Sequence, residues 1–300
     1  MKNIKLYNED NLELMKRLPD ESIDVICIDP PYLYLKNQKL ERPFDEHKFF
    51  SECRRLLTKN GFIVMFGRGE SFYRWNTILS DLKLTFKEEI IWDKSYTTSS
   101  MHAISRCHET IVIFGNSAIN NVRVPYLEIK QENTPGIIQD IKRIKSALNN
   151  TKELEALELF MTKKIVKFGD DKKRGFNTTI QGVSKEQCRS VKTMQSVVNG
   201  MKEKSIITVK RNHFDNIHPT QKPVRLLERL LALVIPESKQ REEIIVADFF
   251  AGSMSCMEAV HNMGMKGIAS EIDQEYFELG KKRIENLIPV QEELFKREVV

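Results

Sequence analysis

Cysteine is sparse and poorly placed for structural duty. The five residues Cys27, Cys53, Cys107, Cys188 and Cys256 include no pair at Cys-x-x-Cys spacing. That excludes a disulfide framework or a thiolate zinc site and implies a reduced, cytoplasmic compartment. The six histidines add no metal-ligand spacing, so no metal is expected. Long apolar runs are missing too; nothing approaches the eighteen or so residues of a membrane span, and no membrane partner is expected. The opening Met1-Lys2-Asn3-Ile4-Lys5 lacks the apolar stretch of a signal peptide. Internal repeats and low-complexity tracts are likewise absent. What remains is an ordinary globular balance, 41% hydrophobic and 30% charged over 300 residues, with room for one large domain or two modest ones.

Charge is unevenly spread. The chain carries +5 overall, yet residues 121–216 hold 19 Lys and Arg against 11 Asp and Glu, a net +8. The remainder holds 28 against 31, a net −3. Clusters such as Lys142-Arg143, Lys163-Lys164 and Lys172-Lys173-Arg174 supply sequence-independent affinity for phosphates. A solvated helical face explains such runs equally well unless neighbouring segments carry nucleic-acid chemistry.

The first 120 residues alternate between strand and helix patterns. Strands are expected at 4–7, 24–29, 62–66, 88–92 and 110–114, and helices at 11–17, 47–57 and 72–82, the second stopping at Lys59-Asn60-Gly61. The rhythm fails between 121 and 216, where helical patterns at 137–148 and 154–166 give way to turn-rich sequence. It resumes with helix 223–233, strand 244–248, helix 253–263, strand 267–271 and helix 274–287. One α/β domain with a largely parallel sheet, interrupted by a basic insert, is the expected architecture.

Two motifs carry chemistry. Asp29-Pro30-Pro31-Tyr32 closes a buried strand, where ligands of open α/β sheets bind. The prolines stiffen the loop and withhold N–H groups, leaving carbonyls free to accept. A carboxylate, a free carbonyl and an aromatic ring there suit a flat, amino-bearing ring: Asp29 and the Pro30 carbonyl take the two amino protons, and Tyr32 stacks. The second motif is Asp248-Phe249-Phe250-Ala251-Gly252-Ser253, a strand followed by a small-residue turn and a helix. Gly252 permits close approach of a ligand, and the helix start offers N–H groups. Glu271 ends the next strand, 23 residues after Asp248, as does the acid that binds ribose hydroxyls in nucleotide folds.

Together these segments resemble the amino-directed DNA methyltransferases that use S-adenosylmethionine, in their circularly permuted beta order. The resemblance implies a Rossmann-like α/β methyltransferase sheet with residues 1–120 as the catalytic half, 121–216 as a basic target-recognition insert and 217–300 as the cofactor-binding half. It implies a catalytic motif at Asp29, Pro30, Pro31 and Tyr32. Cofactor contacts are implied at Asp10, Asp29, Asp248, Phe249, Phe250, Ala251, Gly252, Ser253 and Glu271. His218-Pro219-Thr220-Gln221-Lys222-Pro223 is similar to the family segment at the cofactor's methionine end, which adds His218, Thr220 and Lys222. Arg55-Leu56-Leu57, Ile91-Trp92-x-Lys94 and His108-Glu109-Thr110 match further landmarks. His108 and His218 are read as structural rather than as bases. Double-stranded DNA is the implied partner, with Lys163, Lys164, Lys172, Lys173 and Arg174 as phosphate contacts. A homodimer and a restriction endonuclease partner stay open.

Asp at the head of the motif goes mostly with adenine N6 in this family, and Ser with cytosine N4, so adenine is expected. A cytosine-N4 enzyme and an impaired nucleic-acid-binding relative are the alternatives. The second exists because Met254 stands where the family usually has a second glycine. A helical backbone at Met254, with its side chain turned into the core, would accommodate it.

Overall fold

A computed structural model describes residues 3–32, 42–95, 104–130, 133–148, 163, 189–211 and 217–287. Met1–Asn120 and Lys204–Val300 form one compact unit, and Asn121–Glu203 a second. The first unit is built on an eight-stranded sheet. Its order is β1 (Ile4–Tyr7), β10 (Lys266–Ser270), β9 (Ile245–Asp248), β2 (Ile23–Ile28), β3 (Leu57–Gly67), β5 (His108–Gly115), β4 (Thr85–Asp93) and β8 (Ile206–Thr208). Only β5 runs against its neighbours, pairing antiparallel with β3 and β4; the other pairings are parallel. β8 pairs with β4 although it lies within residues 121–216.

All six residues of β2 are buried, which requires cover on both faces. Alternation along the strand divides them. Ile26 and Ile28, with Ile63, Met65 and Phe114, join a core formed with α1 (Asn11–Arg17), α2 (Glu46–Leu56) and α3 (Gly69–Asp81). Cys27 points the other way and meets Cys256 of α8 (Ser255–Asn262). That helix packs with α7 (Val224–Val234) and α9 (Gln274–Glu285). The parallel strands therefore end on one rim, with a layer of helices on either side.

Two expected boundaries move. The helix expected over 47–57 spans Glu46–Leu56 and has no stop at Lys59-Asn60-Gly61: Leu57 enters β3 directly with φ −67° and ψ 131°, so the strand expected at 62–66 begins five residues earlier. Gly61 is a strand residue whose added Cβ would sit 3.0 Å from the Asp24 carbonyl oxygen, so it marks a close backbone approach, not a helix end. The helix expected from 253 begins at Ser255, because Met254 takes φ +59° and ψ 22° in the left-handed region.

The second unit contains the short antiparallel pair β6 (Arg123–Val124) and β7 (Met201–Lys202), with α4 (Tyr126–Lys130), α5 (Thr134–Leu148) and α6 (Arg189–Asn199). Its polar centre is buried Asp140, which accepts from the Tyr126 hydroxyl at 2.6 Å and from Arg143 at 2.8 Å. Burial and this carboxylate push the Tyr126 phenol up to about 12.

Candidate active site

A cavity lies at the rim of the parallel strands, and the two motifs meet in it. Asp10, Asp29, Pro30, Pro31, Tyr32, His218, Thr220, Lys222, Asp248, Phe249, Phe250, Ala251, Gly252, Ser253 and Glu271 all line it. Lys163 is helical and exposed, whereas Lys164, Lys172, Lys173 and Arg174 lie outside the described residues.

Asp29 follows β2 at the centre of the rim. Its Oδ1 accepts from the Tyr32 hydroxyl at 2.7 Å, and its Oδ2 accepts from the Lys222 ammonium. Ser71 of α3 donates to the Tyr32 carbonyl at 2.9 Å, and the Tyr32 ring leans on Trp75 at 6.4 Å, so the stiff loop is anchored on α3. Burial drives the Asp29 carboxyl above its usual range and Glu109 adds to the rise, while Lys222 and Tyr32 oppose it.

Beside it runs the loop after β9, the strand paired with β2, which lines the same cavity. Asp248 is buried, accepts from the Phe250 N–H at 3.1 Å, and is pushed up to about 7 by burial, with Asp29 and Glu271 adding to the shift. Gly252 takes φ +47°, and a Cβ there would meet the His218 ring at 3.4 Å, so the imidazole lies against bare backbone. Thr220 meets His218 Nδ1 through both its N–H at 3.3 Å and its hydroxyl at 3.1 Å, which fixes the orientation of the ring. Burial holds the imidazole down at about 4, and its ring packs T-shaped with that of Tyr276 at 4.3 Å. His218 is thus a neutral wall.

Several expected ligands already have structural partners. Glu271 accepts from Gly252 N–H and Asp273 N–H, both at 2.8 Å, which ties the loop after β9 to the loop after β10. Asp10 caps α1 by accepting from Leu12 N–H at 2.9 Å. Each carboxylate oxygen retains a lone pair, so these bonds orient the acids without exhausting them. Met254 is fully buried and turns away from the cavity: a Cβ on Gly280 of α9 would lie 2.4 Å from its Cγ. The expected side-chain direction holds, and the expected helical backbone does not.

Glu9, Arg42, Phe44, Phe66, Glu109 and Asp273 also line the cavity and were missed as site residues. Glu109 had a signal, as part of a landmark segment, but nothing local shows that β5 aims it at Asp29. Seven carboxylates line the cavity against Arg42 and Lys222, an excess that suits a cationic ligand.

The N6/N4 methyltransferase family model, described as DNA methylase, matches residues 23–282. The chain belongs to this family. It is a site-specific DNA methyltransferase, with S-adenosylmethionine as methyl donor. The enzyme is 24% identical over 304 residues to the type II methyltransferase M.HinfI of Haemophilus influenzae, covering 93% of this chain and 68% of that protein. It is 33% identical to M.BamHI of Bacillus amyloliquefaciens over 110 residues, covering 31% of this chain and 24% of that protein. Among solved structures, the cytosine-N4-specific PvuII DNA methyltransferase superposes with a TM-score of 0.57 at 13% identity, covering 98% of this chain and 90% of that one. The M1.HpyAVI–SAM complex gives 0.52 at 17%, covering 93% and 99%. At these identities the likeness establishes the methyltransferase's Rossmann-like sheet and nothing finer.

Proposed function

We propose that the methyltransferase methylates the N6 amino group of adenine in duplex DNA, in the beta order, after flipping the base into this cavity. The observation that carries the reading is the placement of Asp29, on a proline-stiffened loop beside Tyr32, in the same cavity as the loop 248–253 that follows the adjacent strand. The acidic lining and the close approach allowed at Gly252 fit a cationic nucleoside-type cofactor. Phe249, Phe250, Asp248 and Glu271 would hold it from one side, with His218 and Thr220 closing the other. Bound there, S-adenosylmethionine supplies an electrophilic methyl group.

The residues of the chain do the rest. An aryl amine is a poor nucleophile because its lone pair is delocalised into the ring. Asp29 and the Pro30 carbonyl accept hydrogen bonds from its two N–H groups, draw the nitrogen toward tetrahedral geometry and aim its lone pair at the methyl group; one N–H proton leaves only once the N–CH3 bond has formed and the S–CH3 bond has broken. The amine replaces the Tyr32 hydroxyl on Asp29 Oδ1, freeing Tyr32 to stack on the base, since a stacked duplex base cannot reach such a pocket. Phosphate contacts from the basic segment 121–216, the proposed target-recognition insert, offset the cost of flipping. An Asp rather than a Ser at the head of the motif favours adenine over cytosine.

Asp29→Ala should abolish methyl incorporation into unmethylated genomic DNA while calorimetry finds S-adenosylmethionine affinity within about threefold of wild type. Wild-type turnover in that variant removes Asp29 from the chemistry. Nucleoside analysis of the wild-type product should show N6-methyladenine; N4-methylcytosine in its place would reverse the base assignment.

A further inference from the structure

The resemblance to the family casts Lys222 as a cofactor contact, but its ammonium is engaged elsewhere. It donates to Asp29 Oδ2 and lies 3.3 Å from Glu109 Oε2, close enough for an ion pair though not aligned as a hydrogen bond. Glu109 in turn accepts from Lys94 through its other oxygen. The four charges alternate in sign along a chain of contacts, Asp29, Lys222, Glu109, Lys94, and the side chains of the last three are each at least 87% buried. Phe66 lies under the Lys222 ammonium at 5.0 Å and Trp92 under that of Lys94 at 5.1 Å, so both cations rest on ring faces. The three come from separate places: Lys94 from just after β4, Glu109 from the adjacent strand β5, and Lys222 from the segment leading into α7.

We propose that Lys222 and Glu109 are positioning residues for methyl transfer: Lys222 holds one oxygen of Asp29 fixed and the carboxylate ionised, while Glu109, anchored by Lys94, holds Lys222 in place. The other oxygen of Asp29 is thereby left to meet the target amine. The inference rests on the reading of Asp29 as the residue that orients that amine. A protonated Asp29 would offer one good acceptor fewer and could turn a donor toward the amine. Burial pushes Asp29 in that direction, and Lys222 is the cation that opposes it. Burial also works against the Lys222 ammonium, yet Asp29 and Glu109 outweigh it and hold Lys222 more firmly protonated than usual. Asp29 is faced by Tyr32 from its own loop, Lys222 from the segment before α7, Glu109 from β5 and Asp248 from the end of β9. His218, kept neutral by burial and by Lys222, adds no competing charge.

The test measures methyl incorporation into unmethylated genomic DNA from about pH 5 to about pH 9, with S-adenosylmethionine affinity by calorimetry, in the full chain. Lys222→Met should cost about tenfold or more in rate at neutral pH and move the acid limb to higher pH, with cofactor affinity within about threefold. Glu109→Gln keeps an amide oxygen to hold Lys222 but removes a negative neighbour of Asp29, so the acid limb should move to lower pH. The double variant should recover part of the Lys222→Met loss. Cofactor affinity falling in step with rate in Lys222→Met would overturn the proposal by making Lys222 a cofactor ligand. An acid limb that stays put in both single variants, or a double variant with the Lys222→Met profile, would overturn it as well. Should Lys222→Met fail to fold, Glu109→Gln decides: a limb unmoved or raised sinks the relay. Asp29→Ala, run alongside, separates the two levels. If it turns over normally, the reading of Asp29 has failed; if it is dead while Lys222→Met keeps a wild-type profile, only the relay has.

Discussion

At the scale of single residues, the cavity holds two groups whose titration is moved far from its ordinary range. Asp248 is raised from an ordinary 3.8 to about 7 and His218 is lowered from 6.5 to about 4, burial being the leading cause of both. Their linkage signs are opposite. Between about pH 4 and pH 7 the unfolded chain ionises Asp248 while the folded chain does not, so this contribution to stability is lost as pH rises. For His218 the unfolded chain takes up a proton below 6.5 and the folded chain resists until about 4, so its contribution is lost as pH falls. A bound cation should favour the Asp248 carboxylate. S-adenosylmethionine affinity is therefore expected to tighten as pH rises from 6 through 7, by up to about tenfold per pH unit, and Asp248→Asn should flatten that dependence. Calorimetric titrations at several pH values check this, and a pH-independent wild-type affinity would remove Asp248 from cofactor binding. The chemical identity of these acids was plain in the sequence, at strand ends and in recognisable motifs. Their state was not, because it depends on what buries them.

At the scale of elements, the start of α8 shows how one substitution is absorbed. Met254 holds a left-handed backbone that glycine adopts freely, at a cost of roughly 1 kcal/mol or more. Its side chain repays that by filling the space above Gly280. Met254→Gly should relieve the backbone but empty a buried site, which ordinarily costs about 2–5 kcal/mol for loss of a Met side chain. The net expectation is a lower melting temperature with cofactor affinity nearly unchanged, since the side chain does not line the cavity. Gly280→Ala should destabilise the wild type, and should do so much less in the Met254→Gly background, because the added methyl then enters vacated space. Thermal melts of the two single variants and the double variant test the pairing; additive losses would refute it. Helical and strand periodicity made nearly every element of the first unit visible in advance. The α2–β3 junction was not, since Gly61 reads locally as a helix stop while its tertiary role is to let the Asp24 carbonyl come close.

At the scale of the whole molecule, charge separates along the chain. The acidic cavity belongs to the unit formed by Met1–Asn120 and Lys204–Val300, while the net +8 of residues 121–216 is carried largely by the other. If the basic segment serves phosphate, replacing Lys172, Lys173 and Arg174 with Gln should weaken DNA binding and flatten its salt dependence, by up to about 0.9 in slope per lost contact. Cofactor affinity should not move. Binding isotherms over a range of salt concentrations decide it, and an unchanged slope would make the cluster a solvated face. None of the helices among the described residues is long and apolar enough to cross a membrane.

The sequence by itself determined the alternation of strands and helices, the acids at strand ends, the stiff Asp29–Tyr32 loop and the family. These are local properties, written in side-chain periodicity, proline and glycine, and contiguous motifs. Only the tertiary structure decided which residues those features would meet. Lys222 reaches Asp29 across 193 residues of chain, and Glu271 spends a hydrogen bond on Gly252 from 19 residues away. Met254 finds its partner in Gly280, and β8 joins β4 in the large sheet from within a stretch that reads as insert. Such pairings come from closing the sheet and burying its faces, and protonation follows from that burial. No window of sequence contains the neighbours that set it.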